Sequence, residues 1–91
     1  MPYFVYILFS EKDKKLYVGC TSNIEERLER HNKGDVKSTS KRIPFVLMHK
    51  ETFKNKADAF NRERFLKSLW GSREKKKFLD EYINKIRYDS K

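Results

Sequence analysis

Tyr3-Phe4-Val5-Tyr6-Ile7-Leu8-Phe9 is the longest apolar run in the chain, and no polar residue alternates through it. It is far shorter than the roughly 18 residues a membrane span requires, and its β-branched and aromatic content reads as a strand covered on both faces. The run is therefore expected to be the central strand of a sheet. A charged turn, Glu11-Lys12-Asp13-Lys14-Lys15, leads into Leu16-Tyr17-Val18-Gly19-Cys20, a second short strand, so the two pair most simply as an antiparallel hairpin. Tyr6 and Tyr17 then lie on neighbouring strands. A glycine inside a strand weakens it and marks a bulge or a close approach by another backbone or a ligand, which is the expectation for Gly19.

Downstream, Ser22-Asn23-Ile24-Glu25 fits a capping box, with a helix from about Asn23 to Lys33 that Gly34 is placed to stop. Ile24 and Leu28 are one turn apart and form its buried side, and Arg27 and His31, also at i and i+4, project together. From Asp35 to Pro44 the chain is basic, hydroxyl-rich and aperiodic, hence a loop, and Phe45 to Phe53 reads as a third strand. Asn55 can cap a second helix over roughly Lys56 to Trp70, with Ala59, Leu66, Leu69 and Trp70 on one apolar arc, Arg62 inside that arc and a partly buried Glu63 at its edge. Gly71-Ser72 ends it and starts a third helix, about 72–88, whose Phe78, Leu79, Tyr82, Ile83 and Ile86 form a core stripe; Asp89 to Lys91 reads as frayed. The fold class is α+β, one domain over residues 1–91.

Composition narrows the partners. The chain has 91 residues with 22 Lys+Arg against 13 Asp+Glu, a formal charge of +9, and its 7 Phe, 5 Tyr and 1 Trp suit a small aromatic-rich core. Residues 1–31 carry 5 basic and 5 acidic side chains, so the whole excess lies after His31. It concentrates in Lys33 to Arg42 and in Arg62 to Lys77, a localisation that favours a polyanion, and nucleic acid over a membrane surface because neither stretch is a basic amphipathic anchor. Cys20 is the single cysteine, so it forms no intramolecular disulfide and holds no zinc alone. With no basic segment leading into the apolar run as in a signal peptide, the chain is expected to be cytoplasmic.

There is no phosphate-binding glycine loop, zinc-spaced Cys/His set or nucleophile elbow. What stands out is a scattered polar set on otherwise apolar elements: Tyr6, Tyr17, Arg27, His31 and Glu63. Singly, each has an ordinary structural explanation, such as an ion pair of Glu63 with Arg62 or Lys67. Together they offer a proton acceptor, a cation for a developing anion and a carboxylate for a hard metal, the needs of metal-assisted phosphodiester hydrolysis. Cys20 with His31 is a second conceivable pair, but no orienting Asn or Asp is evident.

Val5-Tyr6-Ile7 and Tyr17-Val18-Gly19, followed by Glu26-Arg27-Leu28-Glu29-Arg30-His31-Asn32-Lys33-Gly34 and later Asn61-Arg62-Glu63, resemble the GIY-YIG nuclease superfamily over about residues 3–67. The likeness is nearest to its small single-domain bacterial members and to the nuclease domain of Slx1-type structure-specific endonucleases. The resemblance implies a three-stranded antiparallel sheet flanked by about three helices, and an endonuclease that hydrolyses DNA with one divalent metal, Mg2+ or Mn2+. It implies Tyr6 and Tyr17 as the motif tyrosines, Arg27 facing phosphate, His31 in proton transfer or orientation, and Glu63 as the metal ligand. Val5 stands where the first motif has glycine, Cys20 where some members have lysine, and Ser38 where close relatives often have tyrosine. Gly19, Lys37, Ser38, Thr39, Lys41 and Arg42 are the expected nucleic-acid contacts, positioning the backbone without reading bases. A non-catalytic nucleic-acid-binding module on the same scaffold is the alternative, and a basic domain with a different partner is a third reading.

Overall fold

The computed structural model describes residues 1–89, ordered β1 (Tyr3–Ser10), β2 (Leu16–Thr21), α1 (Ile24–Asn32), β3 (Phe45–Phe53), α2 (Lys56–Lys67), a 3-10 turn (Leu69–Gly71) and α3 (Ser72–Asp89). The three strands form one sheet in the order β2-β1-β3, antiparallel throughout. β1 is central, and its Val5, Tyr6, Ile7 and Leu8 are buried from both sides, which is why the run lacks alternation. Val5, Ile7 and Val18 pack with Ala59 and Leu66 of α2 and meet Phe78 of α3. Tyr6 and Leu8 pack with Ile24, Leu28 and Phe45 on the opposite face, beneath α1. The result is the expected α+β arrangement of a three-stranded sheet between one helix and two. No helix among the described residues is long and apolar enough to cross a membrane.

Local signals set most boundaries, with three corrections. The first is the cap of α1: it is Asn23, not Ser22, whose side chain accepts from the Glu26 amide at 3.1 Å, while Thr21 Oγ1 accepts from the Asn23 amide at 3.2 Å. The other end behaves as read: Gly34 has φ +80°, its amide bonds to the His31 carbonyl, and Asp35 N reaches the Arg30 carbonyl at 3.0 Å, a Schellman closure.

The second correction is at the end of α2, which stops at Lys67. Ser68 leaves the helix with ψ 168° and its hydroxyl donates to the Phe65 carbonyl at 2.5 Å, turning Leu69 and Trp70 into solvent instead of onto the apolar arc. Arg62, read as part of that arc, is instead an ionic clamp. It donates from Nε and Nη2 to the two oxygens of Glu51 on β3, at 2.8 and 3.1 Å, and also to Glu74 of α3. The Glu51 carboxyl is held below its ordinary range chiefly by that guanidinium.

The third correction is the α3 stripe. Phe78 stacks on His49 with centroids 3.7 Å apart and Tyr82 meets Phe9, but Ile83 and Ile86 are only partly covered, at 37% and 45% exposure, because α3 touches the sheet chiefly along β3. Fraying is expected from Asp89 to Lys91; Asp89 is helical, and residues 90 and 91 lie outside the described residues.

Candidate active site

The register of β1 against β2 is uninterrupted and sets Tyr6 opposite Gly19 and Leu8 opposite Tyr17, so both tyrosines leave the sheet on the α1 face. Gly19 is not a bulge, and what approaches it closely within the protein is the Tyr6 side chain. A Cβ there would lie 2.5 Å from Tyr6 Cε2 and closer still to Cζ and the hydroxyl, so glycine is what lets the Tyr6 ring lie across the neighbouring strand. The two tyrosine rings are tilted at 48° with centroids 6.4 Å apart.

α1 adds Arg27 and His31 from one face, as their spacing requires. His31 is completely buried, its ring edge-on to Tyr17 with centroids 4.9 Å apart. Its Nε2 lies 3.1 Å from the Tyr6 hydroxyl and its Nδ1 lies 2.8 Å from Thr39 Oγ1. Thr39 in turn donates its hydroxyl proton to the Val36 carbonyl at 3.3 Å. With that proton committed, His31 donates from Nδ1 to Thr39 and accepts the Tyr6 proton at Nε2. Burial, reinforced by Arg27 and Arg30, lowers the His31 imidazole to about 4, so it is neutral at physiological pH and able to accept a proton. Burial also lifts the Tyr6 phenol to about 12, against the opposing pull of Arg27.

Arg27 is half-buried and faces both tyrosine hydroxyls. Its interaction with Tyr6, and secondarily with Tyr17, holds the guanidinium above its usual range. Its Nε is fully buried and has no hydrogen-bond acceptor among the described residues, an orphan donor beside two phenols. Such a group is costly unless an acceptor arrives, and a phosphate oxygen is an acceptor of the right charge.

Glu63 approaches from α2, on the other side of the sheet from His31. It is 9% exposed, and Oε2 lies 3.2 Å from Lys67 Nζ, so the Lys67 pairing is the one formed and Arg62 goes elsewhere. Its charge is felt across the sheet: it raises Cys20, after the larger effect of burial, and contributes the smallest of the effects on Tyr6. Among the described residues there is no group of three or more His, Cys, Asp or Glu placed to hold a metal. A cation here would have the Glu63 carboxylate from the protein and the rest of its oxygens from phosphate and water, a donor set that suits Mg2+ or Mn2+. Cys20 packs with the Val5 and Ala59 cluster, on the opposite face from His31, so the Cys20–His31 pair does not form.

The basic loop separates into two groups. Lys37, Ser38 and Lys41 are exposed. Thr39 is fully buried beneath His31, and Arg42 is spent on the fold, donating from Nε to Asp13 at 2.6 Å and from Nη2 to the Leu16 carbonyl at 3.3 Å. The Asp13 carboxyl is lowered to about 2, first by Arg42. Thr39 as the partner of His31 has no sequence signal, since the loop has no period relating the two. Asn32 is a further positioning residue: its amide donates to the Phe45 carbonyl at 3.0 Å and accepts from the Phe45 amide at 2.6 Å, tying the end of α1 to the start of β3.

The arrangement has relatives. The family described as the GIY-YIG catalytic domain matches residues 2–77. A UPF0213 protein of Natronomonas pharaonis is 39% identical over 80 residues, covering 87% of this chain and 93% of its own. One from Clostridium perfringens is 45% identical over 67 residues, covering 72% of this chain and 71% of its own. The solution NMR structure of a UPF0213 protein from Bacillus halodurans superposes with a TM-score of 0.51 at 36% identity, over 89% of this chain and 84% of that one. With the motif tyrosines on paired strands, the arginine and histidine on the first helix and the glutamate on the second, the chain belongs to the GIY-YIG family, among its UPF0213 proteins.

Proposed function

We propose that this chain is a nucleic-acid-binding GIY-YIG domain that receives a DNA backbone phosphate at Arg27, between Tyr6 and Tyr17, with Lys37, Ser38 and Lys41 tracking the adjoining backbone. The observation that carries this reading is the buried Arg27 Nε with no acceptor among the described residues, on a guanidinium that otherwise interacts with the two phenols. The charge excess after His31 supports it. The test is anisotropy of labelled duplex DNA across a salt series. Affinity should fall linearly in log[salt] with a slope of about −0.9 per neutralised phosphate, and Arg27→Ala or Lys37→Ala should each reduce that slope by about one. Absent or salt-independent binding overturns the reading in favour of another partner for the basic surface.

A second reading, hydrolysis of that phosphodiester in the cytoplasm, is favoured by the Tyr6–His31 contact with a neutral imidazole. The half-buried Tyr17, or Tyr6 as it passes its own proton to His31 Nε2, takes the proton of the attacking water, and Arg27 neutralises charge on the non-bridging oxygens. Glu63 would hold a single Mg2+ or Mn2+, which when bound supplies Lewis-acid stabilisation of the phosphate. Incubation with linear, flapped and branched DNAs tests this and the structure-specific preference together. Glu63→Gln should abolish nicking and cation binding while leaving DNA affinity intact, and Arg27→Ala should lower turnover about a hundredfold. No nicking of any substrate with either cation leaves binding as the function.

A further inference from the structure

Trp70 is the only tryptophan in the chain, and it is 83% exposed beside Leu69 at 88%. The turn that carries them is nonetheless fixed. The Ser68 amide and hydroxyl both bond to the Phe65 carbonyl, Gly71 N reaches Ser68 O at 3.1 Å, and Ser72 Oγ donates to Leu69 O at 2.7 Å. Gly71 is buried so tightly on the end of α2 that a Cβ would stand 2.6 Å from Leu66 Cα. The indole is thus held out into solvent by a rigid support. A protein this small would ordinarily bury its largest apolar side chain.

The electrostatic setting identifies the occupant. Between residues 64 and 73 there are three cations and no carboxylate, and Lys75, Lys76 and Lys77 follow after Glu74. The carboxylates at the borders are already engaged, Glu63 with Lys67 and Glu74 with Arg62. Arg64, Arg73, Lys76 and Lys77 form no ion pair among the described residues and are exposed. A flat aromatic face on a cation-rich stretch of chain complements a polyanion that also offers flat apolar faces, which is a nucleic-acid strand with unpaired bases.

We propose that Trp70, backed by Leu69 and beside Arg73, is a stacking platform for unpaired bases. The platform sits on the 3-10 turn that follows α2, the helix that carries Glu63. This deepens the nucleic-acid reading given above and rests on it.

Because Trp70 is the sole indole, its emission reports the contact directly. Titration of the full chain with a short oligothymidylate should quench that emission, and Trp70→Ala should weaken single-strand affinity about tenfold with duplex affinity unchanged. Trp70→Phe should restore most of the loss, since stacking needs a ring and not an indole N–H. Arg27→Ala should weaken both DNAs and leave the quenching at saturation intact. Salt-sensitive DNA binding without quenching, or equal single-strand affinity in Trp70→Ala, overturns the platform while the phosphate reading stands. If neither DNA binds, the phosphate reading fails and the platform falls with it. Quenching that follows protein concentration without DNA would assign the surface to a second copy of the chain and overturn the proposal.

Discussion

The Tyr6 hydroxyl stands 3.1 Å from Nε2 of His31, and neither side chain has meaningful contact with solvent, at 1% and 0% exposure. Two polar groups sealed together in this way satisfy each other and little else can replace either. Tyr6→Phe keeps the ring and strands the imidazole acceptor, so it should cost about 1–3 kcal/mol of stability in urea denaturation. DNA affinity should remain within about twofold, because the phenol donates inward. A variant as stable as the parent would show that the contact contributes nothing.

Acid should act on this buried pair before it acts on the rest of the fold. Burial holds the folded His31 imidazole down to about 4, against an ordinary value of 6.5, so the unfolded chain binds more protons between those values. His31 therefore gives no pH-dependent penalty at neutral pH, and stability falls as pH drops from 6.5 to 4, by about 3 kcal/mol in all. Asp13, lowered to about 2 by Arg42, contributes stability above its ordinary 3.8 that is lost as pH falls towards 2. NMR titration of the His31 ring, with urea midpoints measured at intervals through both windows, checks the order. A His31 ring that protonates near its ordinary value would contradict it.

The Tyr6 ring and Gly19 occupy one space, so they should be energetically inseparable. Gly19→Ala alone is expected to destabilise by about 1–3 kcal/mol through overpacking. In a Tyr6→Leu background the same change should cost much less, giving a coupling of at least about 1 kcal/mol in a double-mutant cycle. Additive effects would mean that the strand tolerates a side chain at this position.

Thr39 can be separated from its bulk by two substitutions. Thr39→Val preserves shape and removes the acceptor for His31 Nδ1–H, so imidazole nitrogen shifts should move away from the single Nδ1–H tautomer and stability should fall by about 1–3 kcal/mol. Thr39→Ser should restore the tautomer. Identical nitrogen shifts in all three proteins would rule out Thr39 as the orienting group.

Much of this is legible in the sequence alone. The unbroken run through Leu8 announced a strand buried on both faces, and the i, i+4 spacing of Arg27 and His31 put them on one side of a helix. What resisted reading depended on contacts between segments distant in sequence or on competition among neighbours. Asn23 outcompeted Ser22 as a cap because Thr21 holds its amide. Leu69 and Trp70 fit a helical arc by period alone, and only the Ser68 bond to Phe65 decides that the helix has already ended. Arg42 reads as a loop cation until Asp13 and the Leu16 carbonyl are brought beside it by the hairpin.

The loop that bears Lys37 and Lys41 is fastened at three places: by the Schellman closure at Gly34, by Thr39 under His31, and by Ser10, whose hydroxyl donates to the Arg42 carbonyl at 2.6 Å. Loops that fold around a ligand surrender chain entropy on association, which lowers affinity for a given set of contacts. Here that ordering is complete before any partner arrives. The arch is preorganised, so association should be governed by diffusional encounter, accelerated by its charge and slowed by salt.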